Sequence, residues 1–156
     1  MRRFVWRDDR IEARLDELDH AVLGLVPSLL TGVGELGVDP AAARLRPAVY
    51  RDDQERSAEF LRLSSGLIED GRKADLELFI AGYEDIAEGV GLTAEEAEAW
   101  SRVITHARLI VGARLGIEDD GWEDSTAVEE GNPHVAVLLV LGRLQEALMS
   151  ALAAGL

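Results

Sequence analysis

A capping box followed by a long run of apolar residues at helical spacing sets the terms for the rest of this chain. Thr93-Ala94-Glu95-Glu96 puts a hydroxyl at a helix N-cap and a carboxylate three residues later, so each side chain satisfies a main-chain N–H that the helix start leaves orphaned. Behind it Trp100, Val103, Ile104, Ala107, Ile110, Val111 and Leu115 keep the helical period for four turns or more, and Gly116 closes the run. A period of 3.6 sustained that far does not suit a strand. It predicts an amphipathic helix whose broad apolar face must be covered by other elements.

The same period recurs along the chain. Asp16 is a cap for a first helix carrying Leu18, Val22, Leu25, Val26, Leu29, Val33 and Leu36, with Leu23 and Leu30 apolar on a second side. Pro27 inside it predicts a kink or the end of a turn there, and Gly37 and Pro40 a stop. Asp39-Pro40 and Pro47 bracket a short helical segment at Ala41–Arg46. Asp52 with Glu55 caps a helix to about Ser64, with Ala58 and Leu61 inward, and Glu69-Asp70-Gly71 reads as a break. After it Leu76, Phe79, Ile80, Tyr83, Ile86 and Ala87 form a further stripe ended by Gly89 and Gly91. Asn132-Pro133 opens the last helix, with Val135, Leu138, Leu139, Leu148, Met149 and Leu152 on one side and Val137, Leu141 and Leu144 on another. The expected fold is mainly α, a compact bundle of about five helices.

Residues Arg3 to Leu15 follow a different period. Phe4, Trp6, Ile11, Ala13 and Leu15 alternate with Arg3, Val5, Arg7, Arg10, Glu12 and Arg14. A two-residue turn at Asp8-Asp9 sets Trp6 opposite Ile11 and Phe4 opposite Ala13, giving a short N-terminal β-hairpin with an apolar underside and an arginine-rich outside. A lone hairpin is marginal, so this one must dock on the helices. The whole chain, 1–156, reads as a single domain: hairpin 1–15, then the bundle 16–156 with an acidic loop at 118–131.

Composition narrows the function. The 156 residues carry 30 acids against 16 basic residues, a net charge of −14. Such a surface repels phosphate backbones, which disfavours generic nucleic-acid binding. The imbalance is uneven: residues 1–14 hold five of the basic residues and three of the acids, a local +2, against −16 elsewhere. No apolar run approaches the roughly 20 residues of a membrane span, the longest being Val135–Gly142. With zero cysteines, disulfides, thiolate metal sites and cysteine nucleophiles are absent. Together with the lack of a signal-peptide pattern, this predicts a cytoplasmic protein with no membrane association.

The sequence holds little convergent chemistry. Glu17 and His20 stand at i, i+3, half of a carboxylate-bridged metal motif, but no second Glu-x-x-His follows. His20, His106 and His134 read as surface or boundary residues. Gly32-x-Gly34 lacks the preceding strand and third glycine of a dinucleotide site. Asp119, Asp120, Asp124 and Glu130 match a Ca²⁺ loop poorly. Arg102, His106 and Arg108 lie on the polar side of the 94–115 helix, as a recognition helix would place them, but beside Glu95, Glu96 and Glu98. No cofactor, metal or catalytic residue is expected. The candidate interaction residues are Arg3, Arg7, Arg10 and Arg14 on the hairpin and Trp122, the lone aromatic in a stretch, Glu118–Glu130, that holds seven acids and no base.

Several blocks together resemble one family. They are Leu45-Arg46-Pro47-Ala48-Val49-Tyr50-Arg51-Asp52-Asp53 leading into Ala58-Glu59-Phe60-Leu61-Arg62-Leu63, then Leu92 to Trp100 running to Arg114-Leu115-Gly116-Ile117, and Leu141-Gly142-Arg143-Leu144-Gln145-Glu146-Ala147-Leu148. In order and spacing they are similar to an actinobacterial family first known only as a domain of unknown function and now described in part as AosR-type oxidative stress regulators. The resemblance implies a transcription-associated regulator acting with a sigma factor or RNA polymerase, and a gene neighbourhood shared with a protease adaptor. Redox sensing in that family goes with cysteines, which this chain lacks, so thiol switching does not carry over.

The expected function is therefore a non-enzymatic regulator working through protein–protein contacts. The alternatives are a regulator that contacts DNA directly through Arg3, Arg7, Arg10 and Arg14, and a helical small-ligand carrier or enzyme with a buried polar pocket. The two-sided apolar first and last helices also suit a homodimer.

Overall fold

The computed structural model describes residues 2–32, 54–115 and 133–155, the part from 54 to 70 by its backbone alone. Among these residues run β1 (Phe4–Arg7), β2 (Arg10–Ala13), α1 (Glu17–Thr31), α2 (Gln54–Ala87), α3 (Ala94–Arg114) and α4 (Pro133–Ala154). The architecture is mainly helical, with an N-terminal antiparallel hairpin. The segment at Ala41–Arg46, the cap at Asp52, the positions Val33, Leu36, Gly37 and Pro40, and the acidic stretch 118–131 lie outside the described residues.

The hairpin has the register that alternation predicts: Phe4 pairs with Ala13, Val5 with Glu12, Trp6 with Ile11 and Arg7 with Arg10. The tight turn between them requires a left-handed residue, and Asp8 supplies it with φ 57°, a region that Asp tolerates better than most side chains. Phe4 and Ile11 are buried, and Trp6, Ala13 and Leu15 pack against the same core.

The first helix starts where its cap predicts. Asp16 Oδ1 accepts from the Asp19 N–H at 2.8 Å and Asp19 Oδ2 accepts from the Asp16 N–H at 3.2 Å, a reciprocal box. Pro27 sits inside the helix without ending it, and the helix runs on to Thr31. Its buried face is Asp19, Val22, Leu23 and Val26. Leu18 and Leu25, expected in the inward stripe, are exposed, while Val22 and Val26 of that stripe are buried together with Leu23 from the second side.

The expected break at Glu69-Asp70-Gly71 is overturned. The helix α2 is continuous over 34 residues, so the helices expected on either side of that break are one, and the described helices number four instead of about five. A glycine inside a helix costs about 1 kcal/mol relative to alanine. That penalty weakens a helix locally without stopping it when the flanking turns are themselves helical.

The central element is α3. Thr93 forms its capping box with Glu96, as the sequence predicts. Trp100, Val103, Ile104, Ala107, Ile110 and Val111 are all buried. The helix packs most extensively on α2 and α4, and also on α1 and β2. Trp100 fills the middle, edge-on to Phe4 with ring centroids 6.5 Å apart and tilted against Phe79 at 4.7 Å. Close approach of α2 at this point requires Gly82: a Cβ there would lie 2.7 Å from both the Trp100 Nε1 and the Leu92 Cδ2.

The last helix begins at Pro133 and buries Val135, Leu138, Val140, Leu141, Leu144, Leu148 and Ala151. Leu139 and Met149, expected on the inward side, are exposed. Over its 22 residues α4 is long and apolar enough to cross a membrane by length and composition, although no uninterrupted apolar run in it reaches that length. Here it serves as a core helix against α3, α1 and β1.

Candidate interaction surface at the N-terminal hairpin

The arginines singled out from the sequence all stand on or beside the hairpin, and each has a partner within the chain. Arg3 Nε donates to Asp19 Oδ2 at 3.1 Å. Glu12 lies between two of them, with Arg7 Nε at 2.8 Å from one carboxylate oxygen and Arg14 Nε at 3.2 Å from the other. Its hydrogen bond from Arg14 comes first among the contacts that hold the Glu12 carboxyl below its usual pKa range. Arg10 turns aside, its guanidinium donating to the Gly91 carbonyl at 2.8 Å. Trp122 lies outside the described residues.

These partnerships differ in kind. Asp19 is buried at 1% exposure, fixed by its cap role and by Arg3, and its Oδ1 has no hydrogen-bond partner. The Arg3–Asp19 pair is therefore part of the scaffold. Arg7 and Glu12 are 62% and 41% exposed, and ion pairs in such positions contribute little to stability. An incoming carboxylate can replace Glu12 there at small cost.

The backbone anchors the hairpin on both flanks. Ile11 and Leu92 exchange two main-chain hydrogen bonds, of 2.7 and 2.8 Å, so the α2–α3 connection forms a bridge alongside β2. Sequence reasoning missed this contact. The available signal was Leu92 itself, an apolar residue just before a capping box, where a helix entry packs against its neighbours. On the other flank the Trp6 indole N–H donates to the Ala151 carbonyl in α4 at 2.6 Å.

Two concavities flank Arg3. The larger, about 690 Å³, lies between β1 and α4 and is lined by Arg2, Arg3, Val5 and Trp6 on one side and Ala147, Ser150 and Ala151 on the other. The smaller, about 450 Å³, is lined by Arg3, Arg14, Asp16, Asp19 and His20. In it Asp16 titrates below the ordinary range, chiefly because the Asp19 N–H bonds its carboxylate. Arg2, exposed at the mouth of the larger groove, was not singled out from the sequence.

The histidines and the polar side of α3 give no convergent site. His20 is half-buried beside Tyr83, whose hydroxyl donates to the His20 carbonyl at 3.1 Å. Arg102 donates two hydrogen bonds of 2.9 Å to Asp75, which holds its guanidinium more firmly protonated than usual. His106, half-buried between these helices, titrates below its usual range, first because of burial and then because of the nearby Arg72. Arg108 donates to Gln145 at 2.7 Å, tying α3 to α4. Among the described residues no three His, Asp or Glu side chains come together as a metal-holding group.

Comparison with known proteins fits a chain whose landmarks are structural. A family model described as a domain of unknown function, DUF2017, matches residues 1–152, and the chain belongs to that family. No curated protein and no solved structure matches it.

Proposed function

We propose that this chain is a non-enzymatic regulator that acts by binding another protein through its N-terminal hairpin and the groove beside it. The observation that carries this reading is the groove of about 690 Å³ between β1 and α4, which combines an apolar floor with Arg2 and Arg3 at its rim. Apolar area flanked by guanidinium groups is the composition of protein-binding surfaces. It also falls in a part of the sequence with a local positive balance, which directs acidic partners to it. The resemblance to AosR-type regulators adds the partner class: a sigma factor or another component of the transcription machinery.

The test is retention of purified actinobacterial RNA polymerase and sigma factors on the immobilised chain, against a variant carrying Arg2→Glu and Arg7→Glu. Capture of one component by the parent chain and its loss in the variant supports the reading. No component retained, or equal retention by both chains, overturns it. Promoter fragments bound at low salt and released steeply as salt rises would favour a direct DNA contact by the same arginines.

A further inference from the structure

The two long edges of the hairpin have different fates. The edge of β2 is closed by Leu92 through the main-chain pair with Ile11. The pairing register then fixes what β1 presents on its other edge. Arg14 N–H donates to the Arg3 carbonyl at 2.7 Å, so Arg3, Val5 and Arg7 are the positions whose main-chain groups face β2. The N–H and C=O groups of Phe4 and Trp6 therefore point away from β2. They have no hydrogen-bond partner among the described residues. An unpaired edge of this kind is a template for another strand.

This edge borders the larger groove. Across it α4 presents Ala147 and Ala151, side chains small enough to leave room for a chain beside β1, at the usual strand spacing of about 4.8 Å. The outer face of β1 carries Arg3 and Arg7, with Arg2 at the end of the groove. Resting on the protein-binding reading above, we propose that the open edge of β1 takes an extended acidic segment of a partner protein as an added strand. Its apolar side chains would face α4, and its carboxylates would meet Arg7 and the exposed part of the Arg3 guanidinium, whose Nε stays on Asp19.

Charge selects this occupant over a second copy of the chain. Antiparallel self-pairing of β1 centred on Val5 would set Arg3 of each copy against Arg7 of the other, and like charges directly opposite are destabilising. An acidic strand meets the same two positions with opposite charge. Main-chain hydrogen bonds supply affinity in such strand addition, and alternate side chains supply specificity.

The experiment uses the full chain, ¹⁵N-labelled, and a capped peptide of alternating valine and glutamate, Val-Glu-Val-Glu-Val-Glu. Binding should shift the Phe4 and Trp6 amides and slow their hydrogen exchange, while Val5 and Arg7, already bonded to β2, gain no protection. N-methylation of the peptide amides in one alternating phase should weaken binding about tenfold or more, and in the other phase leave it unchanged. The lysine counterpart, Val-Lys-Val-Lys-Val-Lys, should not bind, and Arg7→Glu should reverse the preference. No binding of the acidic peptide at millimolar concentration overturns the proposal. So does binding that ignores the phase of methylation, or concentration-dependent shifts of the same amides without peptide, which would assign the edge to a second copy. Because the retention assay above uses whole proteins, it can succeed when this experiment fails, so the two readings fall separately.

Discussion

The Trp6 indole N–H donates to the Ala151 carbonyl at 2.6 Å and so fastens the hairpin to a helix 145 residues further along the chain. Trp6→Phe keeps most of the ring and loses this bond. The expected cost is about 1 kcal/mol, the usual net worth of one hydrogen bond. Trp6→Ala, which also removes packing against the core, should cost about 2–4 kcal/mol. Urea unfolding of the two variants measures both values, and an unchanged Trp6→Phe midpoint would contradict the anchoring role.

Two glycines in α2 should respond to alanine with opposite signs. At Gly82 a Cβ would lie 2.7 Å from Trp100 Nε1, so Gly82→Ala should lose about 1–2 kcal/mol despite the gain in helix propensity. At Gly71 a Cβ meets nothing within 4 Å, so Gly71→Ala should gain about 0.5–1 kcal/mol. Thermal melts of both variants read the sign directly. Destabilisation by Gly71→Ala would argue against the continuous helix.

Asp19 is a buried acid with two duties, accepting from Arg3 and closing the capping box of α1. Asp19→Ala should cost about 2–3 kcal/mol, since it removes the reciprocal half of the capping box and leaves Arg3 without its acceptor. Asp19→Asn, which can keep both acceptor roles, should lose less. Equal losses in the two variants would show that the charge itself matters more than the hydrogen bonds.

His106 makes stability depend on pH. Burial, followed by the nearby Arg72, lowers its pKa in the folded chain below the ordinary value of about 6.5. The unfolded chain therefore binds a proton first as pH falls. The stabilisation is present above pH 6.5 and is lost as the pH drops through 6.5 and on through the lower folded value. His106→Gln should flatten that part of the profile, measured as urea midpoints from pH 7.5 down to 5. Parallel profiles for parent and variant would exclude His106 as the source.

The hairpin was legible to the level of register because two independent signals agree: a period of two from Phe4 to Ala13, and two aspartates where the turn must fall. The capping boxes of α1 and α3 were legible for the same reason, each being a short pattern with one geometric meaning. The orientation of α1 was not. With apolar residues on two sides, the period alone does not say which side turns inward, and a buried Asp19 lies on the side that does. Gly71 misled because glycine ends some helices and crosses others, and the neighbours Glu69 and Asp70 look the same in both cases. Of the candidate site, the arginines and the face that Arg7 and Arg14 share with Glu12 were found, but the contacts beyond the hairpin were not. Asp19, Leu92 and the carbonyl of Gly91 are brought to the hairpin only by tertiary packing.

The distance in sequence between Trp6 and Ala151 also bears on how the chain is made. At about 5–20 residues per second a ribosome takes roughly 7–30 seconds to travel from one to the other. For that interval the nascent strand pair has no α4 to cover its underside, and the open rim of β1 is on offer to anything nearby. Chaperone capture or premature pairing between neighbouring nascent chains would act in that window, before the helix that covers the underside has emerged.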